Sequence, residues 1–353
     1  MDIYKNVSYL NEAPYKGYLL RKEARWPHVN KLPNILKSKL SAILYETFSR
    51  PIMLNCETVN ICTNDCIICP YSKMKRDKTV MSQEIFEKVL RDYSDIGGGY
   101  LTLTPKNGEF FLDSILPDRL AILENYPKVT QVSITTNAVP IDRFSDYQLK
   151  KIIDHFDRIH ISIYGLDHDE YQKMTQRDYY SKMVANANRI IGLRDERKTE
   201  MVLGFRFLKN HSNSDIEQWI KRNLGNEFFY AYTNTYMNWN GAIEEKGIIN
   251  YEGRWQKRVE GDSLCLLPMI LALVYSNGDV SYCPCNDYDI CEEFRLGNVG
   301  DESLKELFNS KKNRELWRTL PSRCLTCTAY APMIKILEED ADVFDDPLKY
   351  VGG

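Results

Sequence analysis

Three thiols in one short loop are the first feature of this chain that could do chemistry. In CETVNICTNDCIICPYSKMKR, residues 56–76, Cys62, Cys66 and Cys69 follow a C-x3-C-x2-C spacing. Thiolates are soft ligands that select zinc, copper(I) or iron–sulfur clusters. A structural zinc site closes with four nitrogen or sulfur ligands, and cubane clusters as a rule take four cysteines. Three thiols are one short of either, unless Cys56 joins them. A cubane held by three has one iron open to a further ligand. A second set lies far downstream, at Cys265, Cys283, Cys285, Cys291, Cys324 and Cys327, with no cysteine after it.

Elements able to position these residues alternate along the chain. IMLNCETV reads as a strand just ahead of the first cysteine loop. MSQEIFEKVLRDYSDIGGG reads as a helix with Ser82 as N-cap, an apolar face of Ile85, Phe86, Val89, Leu90 and Tyr93, and glycines that stop it. YLTLTP and VTQVSITTNA are further strands, and FSDYQLKKIIDHFD is a helix opened by a Ser145/Gln148 capping box. RIHISIYG, a helix near 181–194, EMVLGFRFL, the helix SDIEQWIKRNL and FFYAYTNTYMN complete about six strands alternating with helices, the pattern of a parallel α/β barrel or open sheet. Past residue 250 the rhythm changes and one helix remains, DESLKELFNSKKNRELW. The expected division is an N-terminal extension (1–50), a partial barrel (51–250), a small metal-organised domain (251–335) and an acidic tail (336–353).

The bulk numbers narrow the class. A chain of 353 residues is long enough for one large domain and a smaller one. A formal charge of -3 gives no support to coating of nucleic acid. The opening residues lack the layout of a signal peptide. The longest apolar run, LCLLPMILALVY at 264–275, contains a proline and is too short to span a bilayer. These features predict a cytoplasmic protein with no membrane and no nucleic-acid partner. In a reducing compartment its cysteines are expected to be metal ligands or reactive thiols rather than disulfides.

The C-x3-C-x2-C loop after a first strand, with alternating strands and helices behind it, resembles the radical SAM superfamily. That resemblance implies a partial (β/α)6 TIM-like barrel. It also implies a [4Fe–4S] cluster on Cys62, Cys66 and Cys69 whose open iron binds S-adenosylmethionine, and a 5'-deoxyadenosyl radical as the hydrogen-abstracting species. Downstream, KNGEFF (Asn107, Gly108, Glu109) is similar to the family's Gly-Gly-Glu motif for the methionine amino group, with Asn107 in place of a glycine. TTNA (Thr136, Asn137) is similar to the Thr-Asn-Gly that ends the third strand, with Ala138 in place of the glycine. ISIYGLDHDEYQKMTQRD resembles the fourth strand and its loop, which assigns Ser162 to the cofactor carboxylate. Arg206 is a further candidate for that carboxylate, since an arginine fork matches it, although a strand-end arginine is as readily a structural ion pair. Ile68 departs from the aromatic usual before the third cysteine. The basic run Lys73, Lys75 and Arg76 reads as solvated surface.

The second set resembles the start of the SPASM domain. Cys265 and Cys283 flank Gly278, LGNVGDESLKELF matches its turn and helix, and Cys324 and Cys327 follow. With no later cysteines, the chain is similar to the truncated twitch form. That form holds one auxiliary [4Fe–4S] cluster, here with Cys265, Cys283, Cys324 and Cys327 as ligands, although spacing leaves Cys285 as an alternative to Cys283. Zinc suits the same spacing.

The layout is most similar to 2-deoxy-scyllo-inosamine dehydrogenase and the twitch-bearing aminoglycoside epimerases. This implies an oxidoreductase or epimerase acting on a C–H of a small polar substrate (amino sugar, cyclitol or glycoside), with an electron donor such as flavodoxin or ferredoxin as partner. Oxidation would pass an electron to the auxiliary cluster. Epimerisation would return a hydrogen atom from a thiol, for which Cys291, and after it Cys285, are the candidates. Modification of a ribosomally made peptide is the alternative, and a zinc-stapled binding module without chemistry the distant one.

Overall fold

The computed structural model describes residues 7–8, 50–51, 53–225, 228–233, 236–243, 265, 267–318 and 321–327. The acidic tail, nearly all of the N-terminal extension and the expected boundary near 250 lie outside the described residues.

The sheet begins with β1 (Val7–Ser8) and β2 (Met53–Cys56), followed by α1 (Gln83–Asp95), β3 (Gly99–Thr102), α2 (Leu116–Leu123) and β4 (Val129–Thr136). Then come α3 (Asp146–Ile153), β5 (Arg158–Tyr164), α4 (His168–Thr175), α5 (Tyr180–Leu193), β6 (Glu200–Arg206), α6 (Asn213–Leu224) and β7 (Phe229–Thr233). Strands β2 to β7 pair in parallel with sequential neighbours, the arrangement of a partial (β/α)6 TIM-like barrel. Strand β1 pairs in parallel with β7.

The local signals act as their chemistry requires. Ser82 Oγ accepts from Ile85 N–H at 3.2 Å, and α1 buries Phe86, Val89, Leu90 and Tyr93. Ser145 and Gln148 close the reciprocal box at the start of α3. Side chains alternate along a strand. On β5, Ile159, Ile161 and Ile163 join the apolar core, which sends Arg158, His160, Ser162 and Tyr164 to the other face. Gly204, the register partner of Ser162, serves that face. A Cβ there would stand 2.1 Å from His160 Nε2, so the imidazole occupies the space of the missing side chain.

Two helices carry weaker sequence signals. Helix α2 is eight residues long, with a proline in its first turn, and is anchored by Arg119, whose Nε donates to Asp113 Oδ2 at 2.5 Å in a fully buried ion pair. Helix α4 starts on Asp167, whose carboxylate accepts from Glu170 N–H at 2.8 Å.

The C-terminal region continues the sheet of the barrel. After the single turn α7 (Leu267–Ile270), β8 (Leu271–Val274) pairs in parallel with β2, from Met53↔Leu271 to Cys56↔Val274. Strands β9 (Asp279–Ser281) and β10 (Arg295–Asn298) continue antiparallel from it, making one ten-stranded sheet. The expected single helix is two, α8 (Leu304–Phe308) and α9 (Lys311–Arg318). Asn313 explains the break: its amide donates to Phe308 O at 2.5 Å, and its own N–H is taken by Ser310 Oγ at 3.2 Å, which restarts the helix.

Candidate active site

The first cysteine loop runs from β2 towards α1 and is covered by the C-terminal ends of β3, β4 and β5. Each of its thiols meets a hydrogen-bond donor. Asn107 Nδ2 lies 3.3 Å from Cys69 Sγ, Asn64 N–H lies 3.5 Å from Cys62 Sγ with Asn137 Nδ2 at 3.8 Å, and Tyr164 bonds to Cys66. All three thiols are raised above the ordinary cysteine range, Cys66 to about 12, first because they are buried. Ligation of a metal would remove those protons, and donors aimed at sulfur favour a thiolate.

Glu109 ties the strand ends together. Its carboxylate accepts from Thr136 Oγ1 at 2.5 Å, Asn137 N–H at 2.7 Å and Phe111 N–H at 3.3 Å, while its own N–H bonds to Ile61 O in the cysteine loop. Burial raises its pKa to about 7 against those three hydrogen bonds. Gly108 is needed for close approach, since a Cβ there would stand 2.8 Å from Val59 O. Ala138 adopts φ 58°, a left-handed conformation in which glycine is the usual occupant. Ser162 and Arg206, on adjacent strands, meet as Arg206 Nη1 donates to Ser162 Oγ at 2.9 Å.

Three residues at this site are not singled out by the sequence: Tyr164, Trp239 and Lys106. Tyr164 could have been found from its place two residues after Ser162 on the same face of β5. Trp239 donates its indole N–H to Ile68 O, inside the cysteine loop, at 3.0 Å. Lys106 Nζ stands 4.6 Å from the centre of the Trp239 ring and donates to Pro284 O at 3.1 Å.

Arg76 corrects the reading of a solvated basic run. It is buried and forms a forked ion pair with the fully buried Glu57, with Nη2 to Oε2 at 2.8 Å. Its charge sits over the Tyr275 ring and its Nε donates to Tyr288 O at 3.0 Å. Glu57 also accepts from Lys106 N–H and from Ser276, so one carboxylate fastens β2, the loop after β3 and the C-terminal region. Lys73 bonds through its ammonium to Ala242 O on the exposed surface.

The second cysteine set gathers around the turn after β9. Asn286 N–H lies 3.3 Å from Cys283 Sγ and Asn286 Nδ2 lies 2.6 Å from Cys327 Sγ, which joins two distant parts of the chain. Cys327 N–H bonds to Cys324 O at 3.3 Å. Burial pushes Cys285 up to about 12, against the pull of Lys106, and Cys283 and Cys265 are close enough to add to the rise. Cys291 stands at the far end of the turn, where its N–H bonds to Asp287 Oδ1 at 2.9 Å. Among the described residues, no three His, Cys, Asp or Glu side chains are gathered closely enough to hold a single metal ion. Cys56 is fully buried, with its thiol 3.8 Å from Met81 Sδ, and packs as core.

Comparison with known proteins agrees with this arrangement. The Radical SAM superfamily profile matches residues 56–221, and the SPASM profile, an iron–sulfur cluster-binding domain, matches 265–328. The chain carries a radical SAM domain followed by a SPASM domain, and domains of these two families bind [4Fe–4S] clusters and S-adenosylmethionine.

Among curated proteins it is 24% identical over 116 residues to the serine-type anaerobic sulfatase-maturating enzyme of Bacteroides thetaiotaomicron, covering 32% of this chain and 24% of that one. It is 27% identical over 172 residues to the probable GTP 3',8-cyclase of Methanothermobacter thermautotrophicus, covering 47% and 53%. The matches thus span about a quarter and about half the length of these two relatives. Among solved structures it is similar to BtrN in complex with AdoMet and 2-DOIA, with a TM-score of 0.51 at 16% identity over 78% of this chain and 92% of that one. It is also similar to Streptococcus suis SuiB bound to precursor peptide SuiA, with a TM-score of 0.55 at 14% identity over 82% and 73%. Both likenesses are of fold. No helix among the described residues is long and apolar enough to cross a membrane.

Proposed function

We propose that this enzyme abstracts a hydrogen atom from a C–H of a small polar substrate, an amino sugar, cyclitol or related glycoside, and so oxidises an alcohol or inverts its carbon. In this reading Cys62, Cys66 and Cys69 hold a [4Fe–4S] cluster and Cys265, Cys283, Cys324 and Cys327 hold a second. Once bound, the first cluster and S-adenosylmethionine supply the hydrogen-abstracting radical, and the second cluster supplies an electron acceptor.

The residues around the first site fit that cofactor. Asn107 Oδ1 is buried without a hydrogen-bond partner beside Cys69, an acceptor suited to an amino group. Arg206 presents a cationic donor, and Ser162 a hydroxyl, to a carboxylate across the top of β5 and β6. Glu109 orients Thr136 and Asn137, and Asn137 in turn holds Thr63 Oγ1 at 3.0 Å in the cysteine loop. For inversion, Cys291 is the proposed hydrogen donor and Cys285 the alternative.

The observation that carries the reading is the pairing of two thiol sites, one on each side of Lys106–Asn107, with Asn286 joining Cys283 to Cys327. The small-substrate preference draws on BtrN, a dehydrogenase 92% covered by this chain. Peptide modification is the second reading, favoured by the higher TM-score with SuiB in its peptide complex.

The test is the iron and sulfide content of anaerobically reconstituted protein beside a Cys62→Ala/Cys66→Ala/Cys69→Ala variant. About eight irons falling to about four is expected. Reductive cleavage of S-adenosylmethionine by the triple variant would sink the assignment. Deuterium transfer into 5'-deoxyadenosine from labelled sugars or from labelled peptides then separates the two substrate readings.

A further inference from the structure

Lys106 and Asn107 are adjacent in sequence and send their side chains to different metal sites. Asn107 Nδ2 lies 3.3 Å from Cys69 Sγ of the first, while Lys106 Nζ donates at 3.1 Å to Pro284 O, the carbonyl between Cys283 and Cys285 of the second. The backbone of this pair is pinned from behind by Glu57, whose Oε2 accepts from Lys106 N–H at 2.9 Å and Asn107 N–H at 3.4 Å. The Trp239 ring lies against the ammonium, and its indole N–H is anchored on Ile68 O. Lys106 therefore reaches from the barrel into the second site along a fixed path.

We infer that Lys106 is a positioning residue for the second metal site, where its ammonium raises the reduction potential of the cluster that the proposed function places on Cys265, Cys283, Cys324 and Cys327. This rests on that two-cluster reading. Adding an electron to a thiolate-ligated cluster adds negative charge, and net charge and nearby donors are among the quantities that set its potential. A cation in a site of low dielectric opposes that cost; burial lowers the lysine's pKa, and Cys285, Cys283, Asp287 and Glu57 around it act against that fall.

The carboxylates near the ammonium are otherwise engaged. Glu57 is forked to Arg76, and Asp287 accepts from Ser281 Oγ at 2.7 Å and from Cys291 N–H. The side chains recorded as donors to the first-site thiols are Asn107, Asn137 and Tyr164, all neutral amides or a phenol. The Arg206 guanidinium acts on Cys66 and the Lys106 ammonium acts on Cys69 as well, but Lys106 donates directly into the turn of the second site and so favours electron uptake chiefly there.

The experiment uses reconstituted full-length wild type, Lys106→Met, Lys106→Gln and Lys106→Arg. Iron is counted first, and each cluster is then followed by EPR during a reductive titration. The expected result is about eight irons throughout, a shift of the second cluster to more negative potential in Lys106→Met and Lys106→Gln, a smaller shift of the first, and recovery in Lys106→Arg. Two neutral variants guard against one that fails to load. Eight irons with unchanged potentials would remove the role of Lys106 and leave the proposed function standing. An equal shift of both clusters would mark a general change of fold and overturn it likewise. Four irons in wild type would remove the second cluster, and this inference with it.

Discussion

The two thiol sites are built by different means. The first hangs across the ends of consecutive parallel strands, so that Asn107, Asn137 and Tyr164 converge on it from β3, β4 and β5, each placed by regular geometry. The second is wrapped in turns and single short elements, and its thiols are joined by the two nitrogens of Asn286. The first set comes from eight residues of sequence. The second collects cysteines from segments some sixty residues apart, at Cys265 and Cys324–Cys327.

The sharpest break in that comparison lies within the turn itself. Cys283→Ala should reduce iron by about four per chain, whereas Cys285→Ala should keep the full complement, as metal analysis of reconstituted protein would show. The reverse result would move the ligand to Cys285 and free Cys283.

Next in size is the joint between the regions. Glu57→Gln leaves Arg76 charged and buried without its carboxylate, and breaking such a pair costs about 3–5 kcal/mol. Thermal or denaturant unfolding should show the loss, and a change within ~0.5 kcal/mol would mean that Arg76 finds water or another partner.

The smallest effect belongs to Glu109. Its acid is held in the fold at about 7 against an ordinary 4.5, chiefly by burial, so the fold favours the protonated form. The stability it contributes is present below about pH 4.5 and lost as pH rises through about 7. In metal-free protein, wild type should lose stability relative to Glu109→Gln across that window, as melting curves at stepped pH would show. A constant difference would mean that its three donors hold the carboxylate charged throughout.

The barrel was legible because its signals are local. Serine caps at 82 and 145 act on residues three positions away, and the apolar face of α1 repeats within its own length. The pairing of β8 with β2 was not legible, since it joins residues more than two hundred positions apart and LALV carries no mark of its partner. The same reason hides Arg76, where a lysine and an arginine in one basic run look alike until Glu57 is seen to bury one of them. At the candidate site, spacing singles out cysteines and a resemblance singles out Ser162 and Arg206. Lys106 opens the KNGEFF stretch without being one of its matched residues, and its contact with Pro284 lies 178 residues away in sequence. Of the three eight-residue helices, α3 is marked by its Ser145/Gln148 box, whereas α2 starts without a side-chain cap and α4 on Asp167 alone, and these two carry no comparable signal.

Because β8 lies beside β2, the C-terminal segment is a keystone rather than a cassette. Cutting the chain between barrel and second site would not yield two modules. It would bare the backbone edge of β2, the strand that leads into the first cysteine loop, and an uncovered edge of that kind invites pairing with other chains. Grafting the second site onto another barrel would require a matching first strand, so in this architecture the two metal sites are inherited together.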